Sequence, residues 1–73
     1  MTYYTVEINE IFGAKYEYKN IRNLAWARQF AEWRSTRTVE CSTVVIDQST
    51  GAIMAEYAEG VCTYIDLDPY AGY

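Results

Sequence analysis

Few residues in this chain are of a type and spacing that could carry out chemistry. Four carboxylates lie in its last third, at Glu56, Glu59, Asp66 and Asp68. Carboxylate oxygens are the ligands that calcium and magnesium prefer, and paired carboxylates can exchange protons. The glycine and the remaining ligands of a calcium loop are missing, however. We therefore expect a solvated acidic edge here and no metal site.

A nucleophilic or zinc site is not predicted either. The sequence has no histidine, which is the usual general base and the usual zinc ligand. Cys41 and Cys62 lack a histidine to activate them, and two cysteines are too few for a disulfide framework. No glycine-rich phosphate loop is present. We expect a protein that is not an enzyme, holds no cofactor or metal and keeps both thiols free.

Aromatic residues give the strongest functional signal. Trp26, Phe30 and Trp33 recur at i, i+4 and i+7 within residues 20–34, the only stretch with helical periodicity. The apolar arc of this predicted helix spans about 180°, whereas a helix resting on one sheet needs roughly 100°. Small residues on one edge of the arc can meet a sheet closely. The sheet then does not cover the bulky aromatic edge of the arc.

Two interpretations of this aromatic edge are open. A stripe at helical spacing is most often part of a core. Two indoles and a phenyl ring, at roughly 150–250 Å² each, nevertheless strain the core of so small a domain. Aromatic residues and arginine are also enriched in binding hot spots. We therefore predict a partner-binding surface made of Trp26, Phe30, Trp33, Tyr16, Tyr18 and Arg22.

The elements that must position this surface form a small α+β domain. Period-two alternation in residues 2–11 predicts a half-buried strand, and residues 16–18 predict a short edge strand. After the helix, the β-branched residues 39–47 and the segment 52–59 predict a hairpin around Gly51. We expect an antiparallel sheet of three to five strands in the chain order β-β-α-β-β, with a possible fifth strand, and one helix across one face.

The limits of the elements can also be predicted. Asn20 or Asn23 can cap the helix through a side-chain oxygen, and we prefer Asn20. In the second hairpin, the register that pairs Asp47 with Ala52 also pairs Val45 with Met54. One face of the sheet must meet the helix, so the other is left partly uncovered. Residues 1–73 form a single domain, in which residues 69–73 are expected to be a flexible tail.

Charge is distributed unevenly along the chain. All six basic residues precede position 38 together with four acidic ones, which gives +2, whereas the rest holds six acidic residues and no basic one, which gives −6. Neutralising a phosphate backbone needs clustered Lys and Arg, so we do not expect a nucleic-acid ligand for this acidic chain. A basic aromatic patch of Lys15, Lys19, Arg22 and Arg37 with Tyr16 and Tyr18 could stack on and neutralise a single strand, but four charges are few and the acidic half would repel the same backbone.

No signal segment and no long apolar run are present, so we expect a cytoplasmic protein without a membrane span. In size, acidity and lack of catalytic residues, the chain resembles the small proteins carried by phages and mobile elements. This is a likeness of general character, and no specific residues carry it.

These observations together favour a non-enzymatic protein–protein interaction module, which binds a protein partner or a second copy of itself. One alternative is an acidic mimic of nucleic acid that inhibits a host nuclease or defence enzyme. A second alternative is a small ligand-binding domain or enzyme whose site forms at a dimer interface.

Overall fold

The computed structural model describes residues 2–66, which form one sheet and one helix. The predicted tail, residues 69–73, and Asp68 lie outside this range. The sheet consists of strands β1 (Tyr4–Asn9), β2 (Lys15–Ile21), β3 (Ser42–Asp47), β4 (Ile53–Ala58) and β5 (Val61–Ile65), and helix α1 (Leu24–Ser35) connects β2 to β3. Neighbouring strands are antiparallel, in the order β2-β1-β3-β4-β5. The predicted α+β fold with one helix is confirmed, and the fifth strand is present.

The core lies between helix α1 and the middle of the sheet. The alternation in β1 turns Tyr4, Val6 and Ile8 toward the helix, and Val6 and Ile8 are fully buried. Val6 pairs with Val45 of β3, so apolar side chains meet across the two central strands. Ala27 and Ala31 of the helix are fully buried and complete this layer. Their short side chains let the helix approach the sheet closely.

The helix begins later than the sequence predicted, and our preference for Asn20 as its cap was wrong. Asn23 is the N-cap, because its Oδ1 accepts a hydrogen bond of 2.9 Å from the backbone N–H of Trp26. Strand β2 continues through Asn20 to Ile21, which pairs with Tyr4. Asn20 has a φ of 62° at an irregularity in the β1–β2 ladder. Pairing with β1 therefore keeps this asparagine in the sheet.

The second hairpin differs from its predicted register by one residue. Ile46 pairs with Ile53 as predicted, but Val45 pairs with Ala55 because the ladder shifts between these two pairs. Met54 thereby becomes the extra residue, and its side chain is almost fully buried. Strand β3 also starts at Ser42 and not at residue 39, and Glu40, two residues before it, has a left-handed φ of 54°, outside the β region. The bulge adds an apolar side chain to the core.

Helix α1 lies over the three central strands of the sheet. It packs on β1, β3 and β4, and β2 extends beyond it as an edge strand. Tyr16 and Tyr18 of β2 are on the same face as the helix, because they pair with the buried Ile8 and Val6. The two tyrosines thus lie on a strip of the sheet beside the helix, which the helix does not cover.

Candidate functional site

Four aromatic rings lie between helix α1 and strand β2. Phe30 is the central ring, and it is partly buried against the core. The ring of Trp26 stacks on it at 5.3 Å with an interplanar angle of 8°, and Tyr18 meets it edge-on at 5.0 Å. Trp33 lies on the other side at 6.2 Å. We call Tyr18, Trp26, Phe30 and Trp33 the aromatic cluster.

The outer rings of the aromatic cluster remain accessible to solvent. Trp26 is 53% exposed, Trp33 55% and Tyr18 51%. The wide apolar arc of the helix explains this exposure, since the residues of the helix that are buried against the sheet, Ala27, Ala31 and Ser35, lie on its other edge. Five of the six residues predicted to bind a partner, namely Trp26, Phe30, Trp33, Tyr16 and Tyr18, therefore lie together between the helix and the edge strand. Their role in binding stays a prediction.

Arginines contact several of these rings. The guanidinium of Arg37 lies 5.1 Å from the centre of the Trp33 ring, and that of Arg34 lies 5.9 Å from the centre of the Tyr16 ring. Both distances fit a cation–π contact. Arg22, which the sequence placed in the surface, instead lies over the ring of Tyr3 at 5.9 Å. Arg37 was not predicted to belong to the cluster, although its position four residues after Trp33 was a usable signal.

Arg34 fixes the end of the helix that carries Trp33. Its Nη2 donates a hydrogen bond of 2.8 Å to Glu10 Oε1, and its Nη1 donates one of 3.1 Å to Thr38 Oγ1. The hydrogen bond to Glu10 raises the pKa of Arg34 above its already high value, so the group is permanently cationic. This contact links the helix to the β1–β2 turn.

An open groove of about 390 Å³ lies beside the aromatic cluster. Its walls are both apolar and cationic, since they come from the rings and from the arginines just described. The lining residues are Tyr18, Phe30, Trp33, Arg34, Arg37 and Thr38. This groove can hold an apolar side chain next to a negatively charged group.

The acidic residues of the second half are spread over several places. Asp47 is buried in the β3–β4 turn, where its Oδ1 accepts hydrogen bonds from the N–H and the hydroxyl of Ser49. Glu59 accepts a hydrogen bond of 3.0 Å from the N–H of Glu40 at the opposite end of these strands. Within residues 2–66, no three Cys, Asp or Glu side chains come close enough to hold a metal ion.

The two thiols are free, as predicted, and they differ in environment. Cys41 is buried, with its Sγ 3.8 Å from the backbone oxygen of Arg34. Cys62 is exposed on β5. They serve no common site, because one is part of the core and the other lies on an edge strand.

The face of the sheet away from the helix is partly uncovered, as predicted. Ile53 and Tyr64 are exposed there, and they border a shallow depression of about 520 Å³ together with Glu56 and Asp66. Among the described residues, this face has no stacked aromatic cluster like the one beside the helix. The aromatic cluster is thus the better-organised candidate site.

No known protein family, curated protein or solved structure matches this chain. The helix α1 has 12 residues, and no helix within residues 2–66 has the length and apolar character that a membrane crossing requires.

Proposed function

We propose that this protein is a non-enzymatic protein–protein interaction module and that the aromatic cluster is its contact surface. The observation that carries the proposal is the half-exposure of Trp26 and Trp33 on either side of Phe30. Exposure of the apolar surface of an indole ring to water is unfavourable in free energy, and tryptophan is among the residues most enriched in binding hot spots. The remaining exposed surface is available to a partner.

The energy available from this surface is large enough to matter. Each indole keeps about half of its surface in water, or roughly 100 Å² per ring. Burial of that area is worth about 2.5 kcal/mol per ring at about 25 cal/mol per Å². The two rings together supply about 5 kcal/mol, before the costs of association are subtracted.

The surface is also held in place before any partner arrives. Trp26 stacks on Phe30, and Arg37 lies over Trp33, so both indoles have a neighbour that restricts their rotation. Arg34 and Glu10 fix the helix end below Trp33. Fixed side chains lose little conformational entropy on binding, which favours affinity.

The two other hypotheses from the sequence have less support. Mimicry of nucleic acid calls for acidic groups in one row, and the described acidic side chains lie in separate loops and strands. A ligand-binding pocket calls for an enclosed cavity with convergent polar groups. The grooves described above are open, which does not favour such a pocket.

Paired variants test the proposal. Trp26→Ala and Trp33→Ala should each weaken binding by tenfold or more, because each removes a half-exposed ring. Phe12→Ala is the matched control, since Phe12 is 93% exposed in the β1–β2 turn and is not part of the cluster. Binding is measured by sedimentation of the pure protein over a wide concentration range, and by affinity capture followed by reconstitution with the purified partner.

The expected pattern is a loss of association in both tryptophan variants and none in the control. The proposal is ruled out if the protein stays monomeric, captures no partner and loses only stability in its tryptophan variants. Equal losses in Phe12→Ala would also contradict it, because the aromatic cluster would then have no special role.

A further inference from the structure

Strand β2 is an edge strand with an unusual charge pattern. Within residues 2–66 it has a strand partner on one side only, namely β1. Its side chains alternate between Tyr16 and Tyr18 on the helix face and Lys15, Glu17 and Lys19 on the other face. The two faces thus offer rings on one side and alternating charges on the other.

We propose that a second copy of this chain pairs with β2 in antiparallel fashion, around a two-fold axis that passes through Tyr18. The two five-stranded sheets then become one ten-stranded sheet with both helices on the same side. This inference rests on the proposed function, since it names the partner that binds beside the aromatic cluster. The argument is one of charge complementarity and of uncovered apolar surface.

The charges exclude two registers. In antiparallel pairs, residues opposite each other point to the same face, so the axis must pass through a residue and not between two. An axis through Glu17 places Glu17 opposite Glu17 and Lys15 opposite Lys19. An axis through Lys19 places the two lysines opposite each other. Both arrangements set like charges together, which destabilises a sheet.

Axes through the two tyrosines have the opposite effect. An axis through Tyr16 sets Glu17 opposite Lys15 but carries the pairing past Lys15, the first residue of β2, whereas Tyr18 is the midpoint of the strand (Lys15–Ile21). We therefore place the axis at Tyr18. Glu17 of each copy then faces Lys19 of the other, so that two ion pairs form symmetrically. Within one chain these two side chains already lie 3.5 Å apart on the same face. Lysines on an edge strand normally prevent pairing with another chain. In this register each lysine meets a carboxylate instead, and the repulsion becomes an attraction.

The helix face of β2 supports the same register. Tyr18 meets Tyr18 of the second copy, and each ring is half exposed in one chain alone. Pairing therefore removes the apolar surface of the two Tyr18 rings from water, beside the helices. The irregularity at Asn20 limits the regular ladder around Tyr18 to residues 17–19, which are the residues that form the two ion pairs.

The other edge of the described sheet does not carry such an argument. Strand β5 has the sequence Val-Cys-Thr-Tyr-Ile and no charged residue. Nothing in that strand favours one register or one orientation over another. The charge pattern therefore points to β2 as the edge that recognises a second copy.

Charge reversal tests the inference with the full chain. Sedimentation equilibrium at low salt should show a reversible dimer of the wild-type protein. Glu17→Lys and Lys19→Glu should each raise the dissociation constant by tenfold or more, because each sets like charges opposite one another at two places. The double variant Glu17→Lys with Lys19→Glu should restore dimerisation, since the pairs re-form with reversed polarity.

Lys15→Glu is the matched control, because it changes the net charge as Lys19→Glu does but faces no charged residue in the proposed register. It should leave the dissociation constant within about threefold of the wild type. Hydrogen exchange of the β2 amides provides a second measurement, and these amides should become protected as the concentration rises. Thermal unfolding of each dilute variant shows that it is folded.

Each outcome decides between the two proposals. A wild-type protein that is monomeric at all concentrations overturns this inference, and the aromatic cluster remains available for a different protein. A dimer that ignores both charge reversals but is lost in Trp26→Ala or Trp33→Ala also overturns the β2 pairing. That second result would support the proposed function, because the aromatic cluster itself would be the contact.

Discussion

The guanidinium of Arg34 and the carboxylate of Glu10 form a hydrogen-bonded ion pair of 2.8 Å, with side chains only 18% and 19% exposed. The pair joins the end of helix α1 to the β1–β2 turn, which are far apart in sequence. Arg34 also donates to Thr38, so three segments meet at one side chain. This is the best-shielded of the ion pairs among the described residues.

We expect Arg34→Met to destabilise the protein by about 1–3 kcal/mol, because it breaks charge-assisted hydrogen bonds and leaves Glu10 without its partner. Lys15→Met is the control, since the Lys15–Glu7 pair is 3.5 Å long and its lysine is 54% exposed. That change should cost less than about 1 kcal/mol. Urea unfolding measures both, and equal losses would show that Arg34 has no special structural role.

Gly60, in the turn between β4 and β5, should not tolerate a side chain. Its φ is 82°, and a Cβ there would lie 2.8 Å from Cγ2 of Thr36. Gly51 has a φ of 77° but open space around it, so Gly51→Ala reports the backbone term alone. We expect Gly51→Ala to cost about 1 kcal/mol and Gly60→Ala clearly more, about 2–3 kcal/mol.

A second variant separates the two causes of strain at Gly60. Thr36→Ser removes Cγ2 and should recover part of the loss in a Gly60→Ala background. The comparison is made from thermal unfolding of the wild type, Thr36→Ser, Gly60→Ala and the double variant. If Gly60→Ala were no worse than Gly51→Ala, the close approach to Thr36 would not constrain the fold.

The helix cap is tested at Asn23. Asn23→Ala should destabilise the protein by about 1 kcal/mol, because the N–H of Trp26 loses its acceptor. Asn23→Asp keeps that acceptor and places a negative charge at the positive end of the helix dipole, so its stability should match or exceed the wild type. Guanidinium unfolding distinguishes them, and similar stabilities for Ala and Asp would contradict the cap assignment.

The stability of the protein should decline at alkaline pH. Burial raises the pKa of the Tyr57 hydroxyl above its usual value of 10.0. The folded state therefore holds this proton more tightly than the unfolded state does. Its contribution is fully present below about pH 10 and is lost as the pH rises through the folded-state pKa.

Tyr57→Phe removes this group and keeps the ring. The variant should lose less stability than the wild type between about pH 9 and pH 11, when both are compared with their own values at neutral pH. The measurement is a series of chemical unfolding curves across this range. Identical slopes in the two proteins would show that Tyr57 does not contribute to the alkaline transition.

Local patterns were sufficient to predict much of this fold. Alternation in β1 identified Tyr4, Val6 and Ile8 as one face, because a half-buried strand repeats every two residues. The wide arc of the helix indicated that some aromatic surface would exceed what the sheet covers, and Trp26 and Trp33 are half exposed. These features depend on neighbours in sequence, so the sequence alone contains them.

The features that could not be predicted depend on contacts between distant segments. The cap is Asn23 and not the predicted Asn20, because β2 pairs with β1 up to Ile21, which is a tertiary contact. The bulge at Met54 likewise follows from packing and not from composition. Strand order has the same origin, since alternation assigns a residue to a face but does not name the neighbouring strand.

The position of β1 between β2 and β3 has a consequence for how the chain assembles. The contacts of β1 with β2 close a short loop, whereas those with β3 must enclose the whole helix. Short loops close with a smaller entropy loss, so the first hairpin can form early in folding. Until β3 arrives, the inner border of that hairpin has no partner. We therefore expect the pairing of β3 with β1 to form later and more slowly than the first hairpin.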